Sequence, residues 1–257
     1  MGKLVDSHTH LLDPRLKEQA DEIVKNLKND GIECVIEISA DPMESSESVA
    51  FAGRHKDVYC TVGVHPIYAD TFSDEFEVWA LSQKGNKKIV AFGECGLDFY
   101  HMKTSIGHQR EIFVRQIMLS EKMELPLVVH SRDAFQDTFE ILSKHKEHLR
   151  HGIVLHCFSY GAEEVERFKE LDVYFAFGGA VTYKNANAAT DAIKAVPRDR
   201  LMIETDCPYL APVPVRGTVN EPKNVKFVAE HIAGVLGISF DEVAKMTTEN
   251  AKRFFGI

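Results

Sequence analysis

Two histidines separated by one residue, His8 and His10 in "DSHTH", stand directly after a short apolar run. In an extended chain, side chains two positions apart leave the same face, so both imidazoles would point one way and could grip a metal ion. A His-x-His pair also arises by chance. Further along, titratable residues recur at the ends of other apolar runs: His65 in "GVHP", Glu94 in "GECGLD", His130 in "PLVVHS", His156 in "GIVLHCF" and Asp206 in "ETDCPYL". Taken singly, each has a plainer reading, a hydrogen-bonded core histidine or a cap or turn aspartate. Taken together they are costly to bury unless paired or metallated. Several imidazoles with two carboxylates match the nitrogen and oxygen ligands of zinc, manganese or iron sites.

The elements that must position these residues are legible as an alternation. Short β-branched or apolar runs, "KLVDSH", "ECVIEIS", "VYCTVGV", "IVAFGE", "PLVVHS", "GIVLHCF", "VYFAFGG" and "LMIETD", are separated by amphipathic stretches such as Arg15 to Asn29, Gly107 to Met123, Ala134 to His148 and Glu163 to Leu171. Strands alternating with helices indicate βα units and a parallel sheet. Repeated eight times, they predict one TIM (β/α)8 barrel domain spanning 1–257, with chemistry at the C-terminal ends of the strands. The competing layout is an open doubly wound sheet, but no GxGxxG or P-loop follows any expected strand. Helices are also expected over Pro222 to Leu236 and Phe240 to Phe254. Ser239 and Glu242 form a capping box for the second, the additional C-terminal helix.

Composition narrows the class. The chain has 257 residues, 44% of them hydrophobic, and a formal charge of −9 that speaks against a protein coating nucleic acid generally. No apolar run reaches membrane-spanning length and the opening decapeptide lacks a secretory apolar segment, so a cytoplasmic protein with no membrane association is expected. Nothing in the sequence points to an obligate protein partner. Cys34, Cys60, Cys95, Cys157 and Cys207 are odd in number and lie in or beside apolar runs. They read as buried, reduced thiols, and the last three alternate away from the histidine-bearing side.

In order and spacing, "DSHTH", "GVHP", "GECGLD", "HSRDA", "LHCFS", "ETDCPYLAP" with "RGTVNEP", and "TTENAKRFF" resemble the TatD family of metal-dependent deoxyribonucleases in the amidohydrolase superfamily. The resemblance covers essentially the whole chain. It implies two divalent ions per chain (zinc, magnesium or manganese), one held by His8, His10, Glu94 and Asp206, the other by Glu94, His130 and His156, with Glu94 bridging. It makes His65 a substrate-facing histidine and DNA the substrate, often cut from a 3′ end, single-stranded or damaged. Ser159 and Tyr160 in "FSY", and Ile67 and Tyr68 in "HPIY", depart from the family pattern and bear on fine specificity.

Two divalent ions would activate a water and stabilise both oxygens of an in-line phosphoryl displacement. Glu94 and Asp206 are the expected catalytic carboxylates, Asp206 as proton acceptor. Arg132, just past His130, and Arg216, in the loop after the eighth strand, are expected phosphate contacts; a salt bridge to a neighbouring acid is the plainer role for Arg132. Tyr160, Tyr183 and Tyr209 could stack on bases or simply pack at the rim. The same site also suits a small-molecule amidohydrolase, a lactonase or a deacylase. A non-catalytic metal-binding protein is disfavoured, because a structural zinc needs only four ligands.

Overall fold

The structure, a computed structural model, describes residues 3–257. Eight strands alternate with helices: β1 (Leu4–Thr9), α1 (Ala20–Asn26), β2 (Ile32–Glu37), α2 (Pro42–Arg54), β3 (Val58–Val62), α3 (Asp74–Ser82), β4 (Ile89–Asp98), α4 (Ile106–Met123), β5 (Leu127–Arg132), α5 (Phe135–Lys144), β6 (Ile153–Leu155), α6 (Ala162–Phe168), β7 (Val173–Phe177), α7 (Asn187–Ala195), β8 (Leu201–Ile203), α8 (Val225–Leu236) and α9 (Phe240–Phe255). Neighbours in sequence pair in parallel from β1 to β8. The barrel is nearly closed. At the seam, Thr9 bridges Cys207, Asp206 N donates to His8 O at 3.0 Å and His10 N donates to Cys207 O at 2.8 Å. Asp6 reinforces it, accepting from Thr205 N at 2.8 Å and Thr205 Oγ1 at 2.6 Å. The seam thus lies beside the first histidines and Asp206.

Alternation along the strands divides the core in two. Ile153 and Leu155, Val173, Phe175 and Phe177, and Leu201 and Ile203 face the helices. The residues between them, Val154, Tyr174, Ala176 and Met202, join Val5, Ile36, Val90 and Val128 in a separate cluster inside the barrel. Phe254 and Phe255 of α9 close that cluster. Burying such a side chain contributes about 1.5–3 kcal/mol, which accounts for the barrel carrying a ninth helix. Ser239 accepts from Glu242 N at 3.2 Å, and Glu242 Oε2 accepts from Ser239 N at 2.8 Å, the expected capping box.

Several boundaries differ from the sequence expectation, three of them with a clear local cause. The stretch from Arg15 begins as turns, because Asp13 accepts from both the backbone and the side chain of Arg15, and α1 itself is shorter. β4 does not end at Glu94 but runs on to Asp98, pairing Gly96 with His130 and Asp98 with Arg132. β6 stops at Leu155, before Cys157 with its positive φ of 44°. Of the thiols, Cys95 and Cys207 lie in the helix-facing cluster, whereas Cys157 is only half-buried. No helix is long and apolar enough to cross a membrane among the described residues.

Candidate metal centre

The two-residue period that sorts the core also aims the site. Counting on from the interior residues Val128 and Val154 gives His130 and His156, and counting on from Met202 gives Glu204 and then Asp206. On β4 the backbone approaches its neighbours closely. A Cβ on Gly63 would lie 2.5 Å from Gly93 C, and one on Gly96, at φ +128°, would lie 2.0 Å from His130 O. Only glycine admits that approach, and Glu94 sits between Gly93 and Gly96, where the strands lie close together.

The six expected ligands meet there. His8 Nε2 lies 3.2 Å from His10 Nε2, 3.3 Å from Glu94 Oε2 and 3.8 Å from Asp206 Oδ1, while His10 Nε2 lies 3.5 Å from Asp206 Oδ1. A tetrahedral ion with bonds of about 2.0–2.2 Å sets its ligands about 3.3–3.6 Å apart. The other carboxylate oxygen, Glu94 Oε1, lies 2.9 Å from His130 Nδ1 and 2.7 Å from His156 Nε2, and these two nitrogens are 3.1 Å apart. The set around His8 lies near that spacing, whereas the set around His130 and His156 is drawn in to hydrogen-bond separation and would part by about half an ångström to admit an ion. Nitrogen and oxygen donors of these kinds suit divalent cations, and Glu94 offers one oxygen to each set.

His65 stands in the same group with a different role. Its Nδ1 accepts from Ile67 N at 3.1 Å, which leaves the ring proton on Nε2, 3.5 Å from Glu94 Oε1. A nitrogen carrying a proton donates and does not ligate. Burial, aided by the charges of His130 and His156, lowers His65 to about 3, so the ring is a neutral donor.

Electrostatics in the cluster follow from burial and mutual charge. Burial alone would raise Glu94, but His156 and His65, with hydrogen bonds from His130 and His156, hold it well below the usual carboxylate range. Burial opposes a charge on His10, yet Asp206 and Glu94 outweigh it and push it up to about 9. His8 is lowered by burial and by His156.

A further set of acids orients these groups and was not singled out from the sequence. Asp98 Oδ2 faces His130 Nε2 at 3.2 Å and His101 Nδ1 at 2.7 Å. Glu204 Oε1 accepts from Cys157 N at 2.6 Å and lies 3.6 Å from His156 Nδ1. Glu37 accepts from Leu11 N at 2.8 Å and Leu12 N at 3.0 Å, anchoring the loop after His10, and burial pushes it up to about 7. Glu204 precedes Asp206 by two, so strand periodicity would have found it, whereas Asp98, which closes "GECGLD", comes into register only through the extension of β4.

A cavity of about 570 Å³ opens over the cluster, walled by Ile38 and Ala40 of the β2 side, Tyr68, His101 and Lys103, and Tyr209. Lys103 is the cation in this wall, whereas Arg132 and Arg216 stand outside it. Arg132 is exposed and lies 4.1 Å over the Tyr100 ring, with no ion pair to an acid among the described residues; Arg216 is exposed and lies 4.2 Å over Tyr183. Ile67 and Tyr68 line the cavity. Tyr160 turns inward instead, its hydroxyl 3.0 Å from Ser131 Oγ and accepting from Ala134 N at 3.2 Å.

Comparison with known proteins gives the family. Residues 5–256 match the family model described as TatD related DNase. The chain is 37% identical over 254 residues to the uncharacterized metal-dependent hydrolase YabD of Bacillus subtilis, covering 99% of each chain. It is 36% identical over 258 residues to the uncharacterized metal-dependent hydrolase YcfH of Escherichia coli K12, covering 99% of this chain and 96% of the relative. Among solved structures, YJJV, a TatD homolog from Escherichia coli K12, superposes with a TM-score of 0.92 at 25% identity, covering 99% of this chain and 98% of that one. A barrel carrying this centre, matched over its length by that family model and by such relatives, belongs to the TatD-related DNase family of metal-dependent hydrolases.

Proposed function

We propose that this hydrolase cleaves DNA phosphodiester bonds as a 3′–5′ exodeoxyribonuclease on single-stranded or damaged ends, with His8, His10, Glu94, His130, His156 and Asp206 holding two divalent ions. The observation that carries the reading is the division of Glu94, Oε2 toward His8 and Oε1 toward His130 and His156. Such a pair of ions, when bound, supplies an acidified water and a positive field for the pentacoordinate phosphate. The protein's own groups do the rest. Glu94 and the four imidazoles keep the donor atoms at fixed separations. Asp206, whose Oδ1 faces His8 and His10, accepts the proton of the attacking water. His65 donates from Nε2 to a non-bridging phosphate oxygen, and Lys103 offsets the charge of the diester from the cavity wall.

The cavity also favours a chain end. Its β2 side carries Glu37 and Glu44 and no cation among the described lining residues, which suits a terminal nucleoside better than a further phosphate. The deciding experiment is a time course on end-labelled single-stranded DNA, using chelator-stripped protein resupplied with Mg²⁺, Mn²⁺ or Zn²⁺. Stepwise release of mononucleotides from the 3′ end is expected. Turnover of lactones or amides with intact DNA would replace this reading by the small-molecule one, and no turnover of either would leave a binding protein.

A further inference from the structure

The connections around the mouth of the barrel carry a repeated feature. Arg15 lies 4.2 Å from the Tyr209 ring centroid, Lys103 5.4 Å from Tyr68, Arg132 4.1 Å from Tyr100 and Arg216 4.2 Å from Tyr183. By chain position, the pairs join the connections after β8 and β1, after β3 and β4, after β4 and the tip of β5, and after β7 and β8. The connections after β2 and β6 supply no such pair among the described residues. In a barrel ordered β1 to β8, those two strands face each other across the mouth. The tyrosine–cation pairs therefore form two walls, with a channel crossing the metal centre from the β2 side to the β6 side.

The walls change character along the channel. Tyr68, Lys103 and Tyr209 line the cavity, while the pairs Tyr100–Arg132 and Tyr183–Arg216 flank β6 outside it. Arg15 is held by both oxygens of Asp13, but Arg132 and Arg216 have no carboxylate at ion-pair distance among the described residues. Tyr100 is 60% exposed, far more than packing on a core requires. The exposed Arg132 over this ring adds little to stability, while Tyr183 is half-buried and fixed by its hydroxyl, which donates to Ala211 O at 3.0 Å. Between the outer pairs the floor is low, because Tyr160 is drawn against Phe135 and Phe158 and only Ser159 is left exposed.

We propose that this channel is the exit track for a single polynucleotide strand. The terminal nucleotide occupies the cavity, and the following nucleotides leave over β6, bases against Tyr100 and Tyr183, phosphates against Arg132 and Arg216. The inference rests on the phosphodiester reading above and adds the strand's path. A ring stacks on any base face, so the track tolerates sequence. A duplex keeps its base faces stacked within the helix and presents none to either wall.

The test separates the track from the chemistry. Binding of phosphorothioate-linked thymidine dinucleotide and hexanucleotide to the metal-loaded protein is followed by fluorescence anisotropy, and cleavage of the ordinary oligonucleotides is followed in parallel. Loss of one stacked base costs about five- to a hundredfold in affinity, so the hexanucleotide is expected to bind about tenfold tighter or more. Tyr100→Leu with Tyr183→Leu should remove most of that gain. Arg132→Gln with Arg216→Gln should flatten the plot of log affinity against log salt by about 1.4, two phosphates at about 0.7 each. Equal affinity for the two oligonucleotides, a length gain that survives the tyrosine changes, or a blunt hairpin bound as tightly as the hexanucleotide would overturn the track. Length-dependent binding without cleavage would overturn the phosphodiesterase reading alone.

Discussion

Asp98 Oδ2 lies 3.2 Å from His130 Nε2, and this contact decides which nitrogen of His130 faces Glu94. Carboxylates behind a ligating histidine fix its tautomer and typically govern metal affinity by about 10- to 100-fold. Asp98→Asn is therefore expected to weaken metal binding by about that factor while the fold persists. Competition with a chromophoric chelator measures it, and an unchanged affinity would show that Asp98 serves only His101 and the loop.

Glu94→Ala removes the side chain between both groups of donors. The expected outcome is loss of hydrolysis together with a fall in bound metal, read by elemental analysis of gel-filtered protein. Two ions per chain in that variant would sink the shared-ligand assignment.

For Asp206→Asn, coordination survives in weakened form but the amide accepts no proton. Turnover should drop by about 10²–10⁴-fold, with metal content largely kept. A rate within a few-fold of the parent would remove Asp206 from proton transfer.

Metal removal should be visible in stability, because the six donors are packed together in the fold and scattered in the unfolded chain. At an ion concentration 100 times Kd, binding at one site adds about 2.7 kcal/mol, equivalent to roughly 5–11 °C in Tm for a domain of this size. Differential scanning fluorimetry with and without chelator tests this. A Tm independent of chelator would mean that the cluster holds no ion in solution.

Gly96→Ala places a methyl group 2.0 Å from the His130 carbonyl and forces a side chain to φ +128°. Either β5 moves, carrying His130 away from Glu94, or the barrel does not assemble. Less soluble protein and lower metal content are expected, whereas Gly107→Ala, with nothing within 4 Å of the added Cβ, should behave as the parent. Normal metal content in Gly96→Ala would show that β5 position does not govern the centre.

Much of the molecule follows from local rules that need no neighbours. Eight apolar runs with helical stretches between them specify the barrel, because strand and helix periodicities are properties of a few consecutive residues. The same period of two carries Val128 to His130 and Val154 to His156, so the convergence of donors could be read in advance, as could the Ser239–Glu242 cap. Other features depended on contacts between segments remote in sequence. The extension of β4 to Asp98 required pairing with β5, the division of the Glu94 oxygens required His8 and His130 from different strands, and the His65 tautomer required the turn at Ile67. Arg132 and Arg216 showed the limit most clearly: spacing put them at the catalytic end, yet only the folded loops decided that they stack on Tyr100 and Tyr183 while Lys103 enters the cavity wall. Loop side chains follow no period, and their positions are set by whichever partner the tertiary structure brings within reach.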